Sequence, residues 1–273
     1  MDSKVPTYKK IAIRFKHFTQ DINTVWEAYS VIEYYSKSLH TKVKKDIVEL
    51  PSYTTLTHNS ERKISLSKDR VYGTLSHISS LQNPRNSLIA AMLIFEEYIS
   101  NLVEMVYIDY PMKCLTQADD KGEKAEITEK LSSIIMDSKD KDEIIERIIE
   151  EKIRGIFYGN MSDLFVKDRA KLELKDTFKG DNAILIEKLK EINARRNIYV
   201  HNGGKIDRKY VRETKKTDVK LNSVLKIDSE YLKEAINIMA QIAKLTTVAI
   251  ITNIYKVETP NTLLNRTYWS QSV

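Results

Sequence analysis

The sequence predicts an all-α fold, and three observations favour it. The chain of 273 residues contains only 7 Gly and 5 Pro, and a shortage of turn formers favours long helices over a many-stranded sheet. Apolar residues recur every three to four positions over several long stretches. Hydrophobic residues make up 42% and charged residues 30% of the chain, as in a globular protein with a core. We therefore expect a bundle of about five main helices with an N-terminal helical extension.

The first helix is predicted over residues 19–39, where Val25, Ala28, Ile32 and Tyr35 recur at helical spacing. The aromatic residues here are interpreted as core residues, not as groups that stack on bases: Phe18, Trp26, Tyr34 and Tyr35. The polar stretch 41–72 is compatible with a loop or with a short hairpin, and its weak periodicity marks a boundary. We therefore divide the chain into an extension over 1–72 and a helical domain over 73–273.

The second long helix is predicted from Asn86 to Asp109, and Pro111 ends it. Its apolar stripe consists of Leu88, Met92, Phe95, Ile99, Val103 and Val106. Glu96 interrupts this stripe. Because a carboxylate that faces a core needs a partner, we expect Glu96 to meet a cation.

Further helices are predicted over 125–137, 140–158 and 161–174, with a short one over 207–214. A long helix over 182–202 ends at a pair of glycines, and its stripe consists of Leu185, Leu189, Ile192 and Arg196. The last long helix is predicted over 229–257, with an inward stripe of Leu232, Ile236, Met239, Ala243 and Ile250. The three long helices over 86–109, 182–202 and 229–257 are expected to pack together.

The cellular environment is predicted from what the sequence lacks. Cys114 is the single cysteine, and one thiol cannot form an internal disulfide or a cysteine-based zinc cluster. We find no apolar run of 18 residues, so no membrane span is expected. The N-terminus lacks the apolar core of a signal peptide. These features predict a cytoplasmic protein.

The formal net charge is +6, and its distribution is uneven. Residues 205–220 hold 7 Lys/Arg against 3 Asp/Glu. Such a tract attracts an anionic polymer, although a solvated charged surface is the more common explanation of such a tract.

Directly before this tract, the stretch ARRNIYVHNGG covers residues 194–204. On a helix, Asn193, Asn197 and His201 share one face. Arg196 lies at the end of the apolar stripe, so its guanidinium needs a carboxylate or a phosphate, and we expect it to pair with Glu96. An arginine that holds a phosphate and a histidine that moves a proton are the minimum set for RNA cleavage without a metal. A helix-capping histidine and a structural ion pair are the alternatives.

The run Arg196-Asn197-Ile198-Tyr199-Val200-His201 resembles the signature of the HEPN superfamily, which includes many prokaryotic toxin and defence ribonucleases. That signature is an arginine, four to six residues, and a histidine, often with a polar residue after the arginine. The position of the run supports the resemblance, since it lies near the end of one core helix and before another long helix. The resemblance covers roughly residues 80–257.

The resemblance implies a HEPN-like helical bundle and a metal-independent endoribonuclease with no cofactor, in which Arg196, Asn197 and His201 are catalytic. It also implies a homodimer with the active site at the dimer interface. RNA is the implied substrate, and an antitoxin or a sensor protein is a further implied partner. We expect the neighbouring cations to hold the RNA backbone: Arg195, Lys205, Arg208 and Lys209.

Two other classes of function are compatible with these residues. One is a non-catalytic helical module in which the same side chains bind a nucleotide or a partner protein. The other is a structural all-α protein in which Arg196 and Glu96 form a core ion pair. Exposure distinguishes them, because catalysis requires Arg196 and His201 to be open to a cleft.

Overall fold

The computed structural model describes residues 5–57, 60–114, 134, 138, 140–157 and 161–259. Within these ranges the secondary structure is predominantly helical, and the all-α prediction is confirmed. The helices are α1 (Thr7–Lys44), α2 (Lys68–His77), α3 (Asn83–Asp109), α4 (Lys141–Phe157), α5 (Met161–Val166), α6 (Ala183–His201), α7 (Arg208–Thr214) and α8 (Ser229–Ala249). The helix predicted over 125–137 lies outside the described residues, apart from residue 134.

Strands are confined, in the described residues, to one antiparallel hairpin of β1 (Ser52–Thr57) and β2 (Ser60–Ser65). Its register places Ser52 opposite Ser65. The polar stretch 41–72 therefore contains a short hairpin, which is one of the two structures that the sequence allowed. It also contains the start of α2, which the sequence analysis missed. The Ser67 hydroxyl caps α2 by accepting a hydrogen bond from the Arg70 amide at 3.3 Å.

Most predicted helices are present, with two differences in length. Helix α1 begins at Thr7 and is much longer than the predicted 19–39. The helix predicted over 161–174 is wrong in its second half, because α5 ends at Val166. The backbone at Asp168, Lys171 and Glu173 has positive φ, a conformation that interrupts a right-handed helix.

The chain forms two compact units, and none of the four boundaries between them along the sequence is at residue 72. The first unit contains Met1–Gln20, Leu93–Ile192 and Asn237–Val273. The second contains Asp21–Met92 and Asn193–Ile236. Helices α1, α3, α6 and α8 each contribute residues to both units.

Aromatic side chains form much of the core of the first unit. Phe18 stacks on Tyr98 with ring centroids 4.5 Å apart, and Phe95 stacks on Phe165 at 6.2 Å. The Tyr98 hydroxyl forms a short hydrogen bond with Thr247, which satisfies both groups within the apolar core.

The apolar stripes predicted for the second and last long helices are confirmed. All six predicted stripe residues of α3 and all five of the last helix are buried. The last helix changes from α to π geometry at Ile250–Ile254.

The apolar residues that recur at helical spacing over residues 28–35 of α1 do not face the core. Phe18 is buried and Trp26 is half-buried, but Ala28 and Ile32 are exposed. Tyr34 and Tyr35 are 69% and 59% exposed, so their interpretation as core residues is wrong. The helix instead buries Ile22, Tyr29, Ser36 and Val43 on an adjoining face.

Helix α2 and the start of α3 are joined to α1 within the second unit. The Asn83 side-chain amide donates to the Tyr29 carbonyl at 2.9 Å in a buried position, and the Ser79 hydroxyl donates to the Glu33 carboxylate at 2.6 Å. The imidazole of His40 packs on the ring of Tyr72 with centroids 3.8 Å apart. These contacts connect segments more than thirty residues apart in sequence.

One segment, Ser229–Ile254, is long and apolar enough on average to cross a membrane, although polar residues interrupt it and it contains no unbroken apolar run of 18 residues. However, 67% of its apolar window is buried inside the protein. A helix whose apolar surface is already covered has the character of a core helix in a soluble protein.

Candidate functional site

The buried face of α6 changes along the helix. Its first half buries Leu185, Ile186, Leu189 and Ile192, and its second half buries Ala194, Arg195, Ile198 and Tyr199. At 100° per residue, the centres of these two faces differ by roughly 140° around the helix axis. The stripe predicted from the first half therefore stops being the core face before it reaches Arg196.

This change of face places the three predicted catalytic residues away from the core of the second unit. Arg196, Asn197 and His201 fall within an arc of roughly 140° around the helix. His201 is exposed in the last turn, while Arg196 and Asn197 are half-buried. The exposed Val200 lies between them. The three polar side chains thus share one face of the last two turns of α6.

Arg196 also takes part in an interaction within the chain, so a bound phosphate would compete with that interaction for its guanidinium. Glu96, its predicted partner, is half-buried and belongs to the first unit, whereas Arg196 belongs to the second. The Glu96–Arg196 pair stays a prediction.

The two glycines end α6 directly after His201. The amides of Asn202 and Gly204 both donate to the Ile198 carbonyl at 2.9 Å, and the φ angles of Gly203 and Gly204 are +60° and +82°. Left-handed residues at this position satisfy the last carbonyls of a helix. The Asn202 side-chain amide then donates to the Lys205 carbonyl at 2.7 Å. The turn therefore holds the backbone of Lys205 close to the turn that carries His201.

The segment after the glycines pairs with the segment before α8. The Leu225 amide donates to the Gly204 carbonyl at 2.9 Å, and the Ile206 amide donates to the Ser223 carbonyl at 3.0 Å. The Tyr199 hydroxyl donates a hydrogen bond to the Leu225 carbonyl. Below this pairing lies a small apolar cluster of Ala194, Ile198, Ile206 and Tyr210. The cluster gives the face with Arg196 and His201 a packed support.

Arg195 has a packing role, which corrects its prediction as a contact to RNA. Its side chain is only 7% exposed. The guanidinium lies 3.7 Å from the centroid of the Tyr231 ring and donates to the Lys226 carbonyl at 3.1 Å. A guanidinium that stacks on an aromatic ring and donates to a backbone carbonyl is not available to bind RNA. Arg195 therefore connects α6 to the start of α8.

The other predicted cations lie on the surface. Lys205, Arg208 and Lys209 are exposed, as is Arg212. The Asp207 carboxylate caps α7 by accepting a hydrogen bond from the Tyr210 amide at 2.7 Å. These exposed cations follow the last turn of α6 along the chain, where positive charge attracts phosphate.

Sequence analysis did not find Arg85, which reaches the end of α6 from α3. Its guanidinium donates to the Tyr199 carbonyl at 2.5 Å and lies 5.7 Å from the centroid of the Tyr199 ring. A cation at the last carbonyls of a helix is favourable because the helix dipole is negative there. No sequence pattern connects Arg85 to residues more than a hundred positions later.

Comparison of the chain with protein-family models, with curated proteins and with solved structures gives no match.

Proposed function

We propose that this protein is a metal-independent endoribonuclease of the HEPN type, in which the 2′-hydroxyl of RNA attacks the adjacent phosphate. The observation that carries the proposal is the grouping on α6. Arg196, Asn197 and the exposed His201 share one face of the last two turns, and exposed cations follow directly in sequence. An arginine, an amide and an exposed imidazole together can bind a phosphate and move a proton.

Each residue has a distinct role in the proposed reaction. His201 takes the proton from the 2′-hydroxyl as the bond from O2′ to phosphorus forms, and it returns a proton to O5′ as the bond from phosphorus to O5′ breaks. Arg196 stabilises the negative charge on the non-bridging oxygens. Asn197 positions the RNA or the imidazole. The products are a 2′,3′-cyclic phosphate and a 5′-hydroxyl.

RNA binding in this proposal depends on charge outside the reacting centre. Lys205, Arg208 and Lys209 contact the RNA backbone and carry no sequence information. The proposed partners are RNA, a second copy of the chain, and an antitoxin or sensor protein. We place the activity in the cytoplasm, as a toxin or antiviral-defence effector, because RNA targets are found there and the single thiol fits a reducing compartment.

The test is cleavage of total cellular RNA by the purified full chain in the presence of EDTA. We expect wild type to cut, and we expect Arg196→Ala and His201→Ala each to lower the rate by about 100-fold or more. The matched control is His77→Ala. His77 is also exposed and lies in the last turn of a helix, α2, but it belongs to no cluster of this kind, so its loss should leave cleavage unchanged.

Three outcomes contradict the proposal. If wild type cuts and all variants cut equally well, the assigned residues are wrong. If wild type binds RNA or a nucleotide without cutting, and the Arg196 and His201 variants lose that binding, the protein is a non-catalytic binding module. Product ends without a 2′,3′-cyclic phosphate would contradict the attack by the 2′-hydroxyl.

A further inference from the structure

An apolar stripe on α1 is exposed to solvent. It consists of Ala28, Val31, Ile32, Tyr35 and Leu39, all within the second unit. Val31 is 54%, Ile32 42% and Leu39 38% exposed. Single exposed apolar residues are ordinary, but these recur every three to four positions and therefore form one continuous strip.

The stripe is not the part of α1 that supports its own core. Ile22, Tyr29, Ser36 and Val43 are buried on an adjoining face of the same helix, whose centre lies roughly 95° around the axis from the centre of the strip. A helix that packs on one face and also carries an exposed apolar strip at heptad-like spacing has the pattern of a helix that pairs with another helix. The strip can therefore bind a further helix outside the chain's own core.

Opposite charges mark the two ends of the strip. On a helical projection Asp21 and Lys42 lie on the same side of α1 as the strip, one before Ala28 and one after Leu39, and both are exposed. Among the described residues, neither forms an ion pair. The wider charge distribution agrees, since residues 21–33 contain only acidic charges and residues 34–44 only basic ones.

This pattern is complementary to itself when two copies run antiparallel. Around a two-fold axis between Val31 and Ile32, Asp21 of one copy faces Lys42 of the other, twice. The same register sets the small Ala28 opposite the large Tyr35, and Val31 opposite Ile32. A parallel pair would instead place Asp21 on Asp21 and Tyr35 on Tyr35, which combines like-charge repulsion with poor packing.

The geometry points to a second copy of this chain as the partner, bound antiparallel along α1 from Asp21 to Lys42. This is an isologous interface, in which the same patch serves both subunits. The helix face is about 32 Å long. A standard interface buries about 800 Å² on each partner, and a single pair of helices buries less than this. The dimer is therefore expected to be weaker than a standard complex and to dissociate on dilution.

This interface differs from the arrangement implied by the HEPN resemblance, in which the motifs of two copies face one cleft. Pairing through α1 places no requirement on the face that carries Arg196 and His201. It does not depend on RNA cleavage, and its test measures mass alone.

The test is the molar mass of the full chain by sedimentation equilibrium over a range of concentrations. Wild type should dimerise. Asp21→Lys and Lys42→Asp should each raise the dissociation constant about tenfold, since each change turns two attractions into two repulsions. An equimolar mixture of the two variants should dimerise again, because antiparallel pairing then sets opposite charges against each other at both ends. In a parallel pair each single change would still leave like charge facing like charge, so neither variant alone would weaken the dimer, and an interface on another face would respond to neither change.

Two control variants separate this interface from others. Lys44→Asp removes an exposed cation from the far side of the same helix and should not change the mass. Val200→Asp alters the exposed face of α6 and should leave pairing through α1 intact. A wild type that is monomeric at every concentration, a dimer that Val200→Asp dissociates and Asp21→Lys does not, or a mixture that fails to recover would each overturn the proposal. Circular dichroism checks that every variant is folded.

Discussion

Gly204 occupies a position where any side chain would be strained and crowded. A Cβ added there would lie 2.8 Å from Cε1 of Tyr199, a ring that is almost fully buried and bonded through its hydroxyl to Leu225. The φ of +82° adds backbone strain for any L side chain. Gly203 also has positive φ, but a Cβ there would meet nothing within 4 Å.

We therefore predict that Gly204→Ala destabilises the protein by about 2–4 kcal/mol, from overpacking and strain together. Gly203→Ala, the matched control, should cost about 1 kcal/mol, from strain alone. The measurement is the denaturation midpoint in urea. Equal losses for the two variants would show that the close contact with Tyr199 is not a stability determinant.

The identity of a residue does not determine whether its side chain is buried, as Arg195 and Arg196 show. Both were candidates for phosphate binding, and the same chemistry applies to both. Their places on the helix differ by 100°, and this rotation buries Arg195 against Tyr231 while Arg196 stays half-exposed. The outcome depends on Tyr231, which comes from another helix, so no local pattern could separate the two arginines.

At the scale of elements, the loop between α5 and α6 is organised by one carboxylate. The two oxygens of Asp168 accept hydrogen bonds from the amides of Leu172 at 2.8 Å and Leu174 at 3.2 Å. The loop is further tied by the Lys113 ammonium, which donates to Glu173 at 2.8 Å. This bond holds the pKa of the Glu173 carboxyl below its usual value. Apolar side chains within this irregular loop, Leu172 and Leu174, are buried.

We predict that Asp168→Asn lowers the free energy of unfolding by about 1–3 kcal/mol, because the amide leaves only one acceptor for two backbone donors. Asparagine tolerates the positive φ at this position, so the change isolates the hydrogen bonds. Asp176→Asn is the control: Asp176 forms only an exposed ion pair with Lys179, and its loss should leave the midpoint of thermal unfolding nearly unchanged. If both variants have the same midpoint of thermal unfolding, the hydrogen bonds of Asp168 do not stabilise the protein.

Helix periodicity predicted the elements with dense apolar stripes closely. Helices α3, α4, α6 and α8 begin within a few residues of their predicted positions. The failures have physical causes. Residues 28–35 of α1 have apolar spacing, yet that face is exposed, because periodicity shows that a helix is amphipathic and not which of two strips meets the core. The predicted helix after Val166 is replaced by turns with positive φ, which no apolar pattern reveals.

At the scale of the whole molecule, the reactivity of the single thiol depends on how often the core of the first unit opens. Cys114 is buried there, at the end of a short 3₁₀ turn after α3. Burial raises the pKa of the thiol to about 11, so at pH 8 little of it is the reactive thiolate. Both access and ionisation therefore protect this cysteine in the folded state.

We predict that Cys114 reacts with a disulfide reagent at pH 8 only as fast as the first unit opens. The reaction should be slow in buffer and complete within mixing time in concentrated guanidinium chloride. The control is Ser76→Cys in a Cys114→Ser background, because Ser76 is exposed and its substitute should react at once. Rapid labelling of Cys114 in native buffer would contradict its burial.

The sequence alone determined the helical class, the main helices and the cluster of Arg196, Asn197 and His201, because these depend on local spacing along one chain. Contacts between distant segments decided the rest. They buried Arg195 and brought Arg85 to the end of α6. They also selected the face of α1 that packs, leaving Ile32 and Tyr35 in solvent. Such choices depend on which surfaces of separate helices meet, and periodicity within a single helix contains no information about its neighbours.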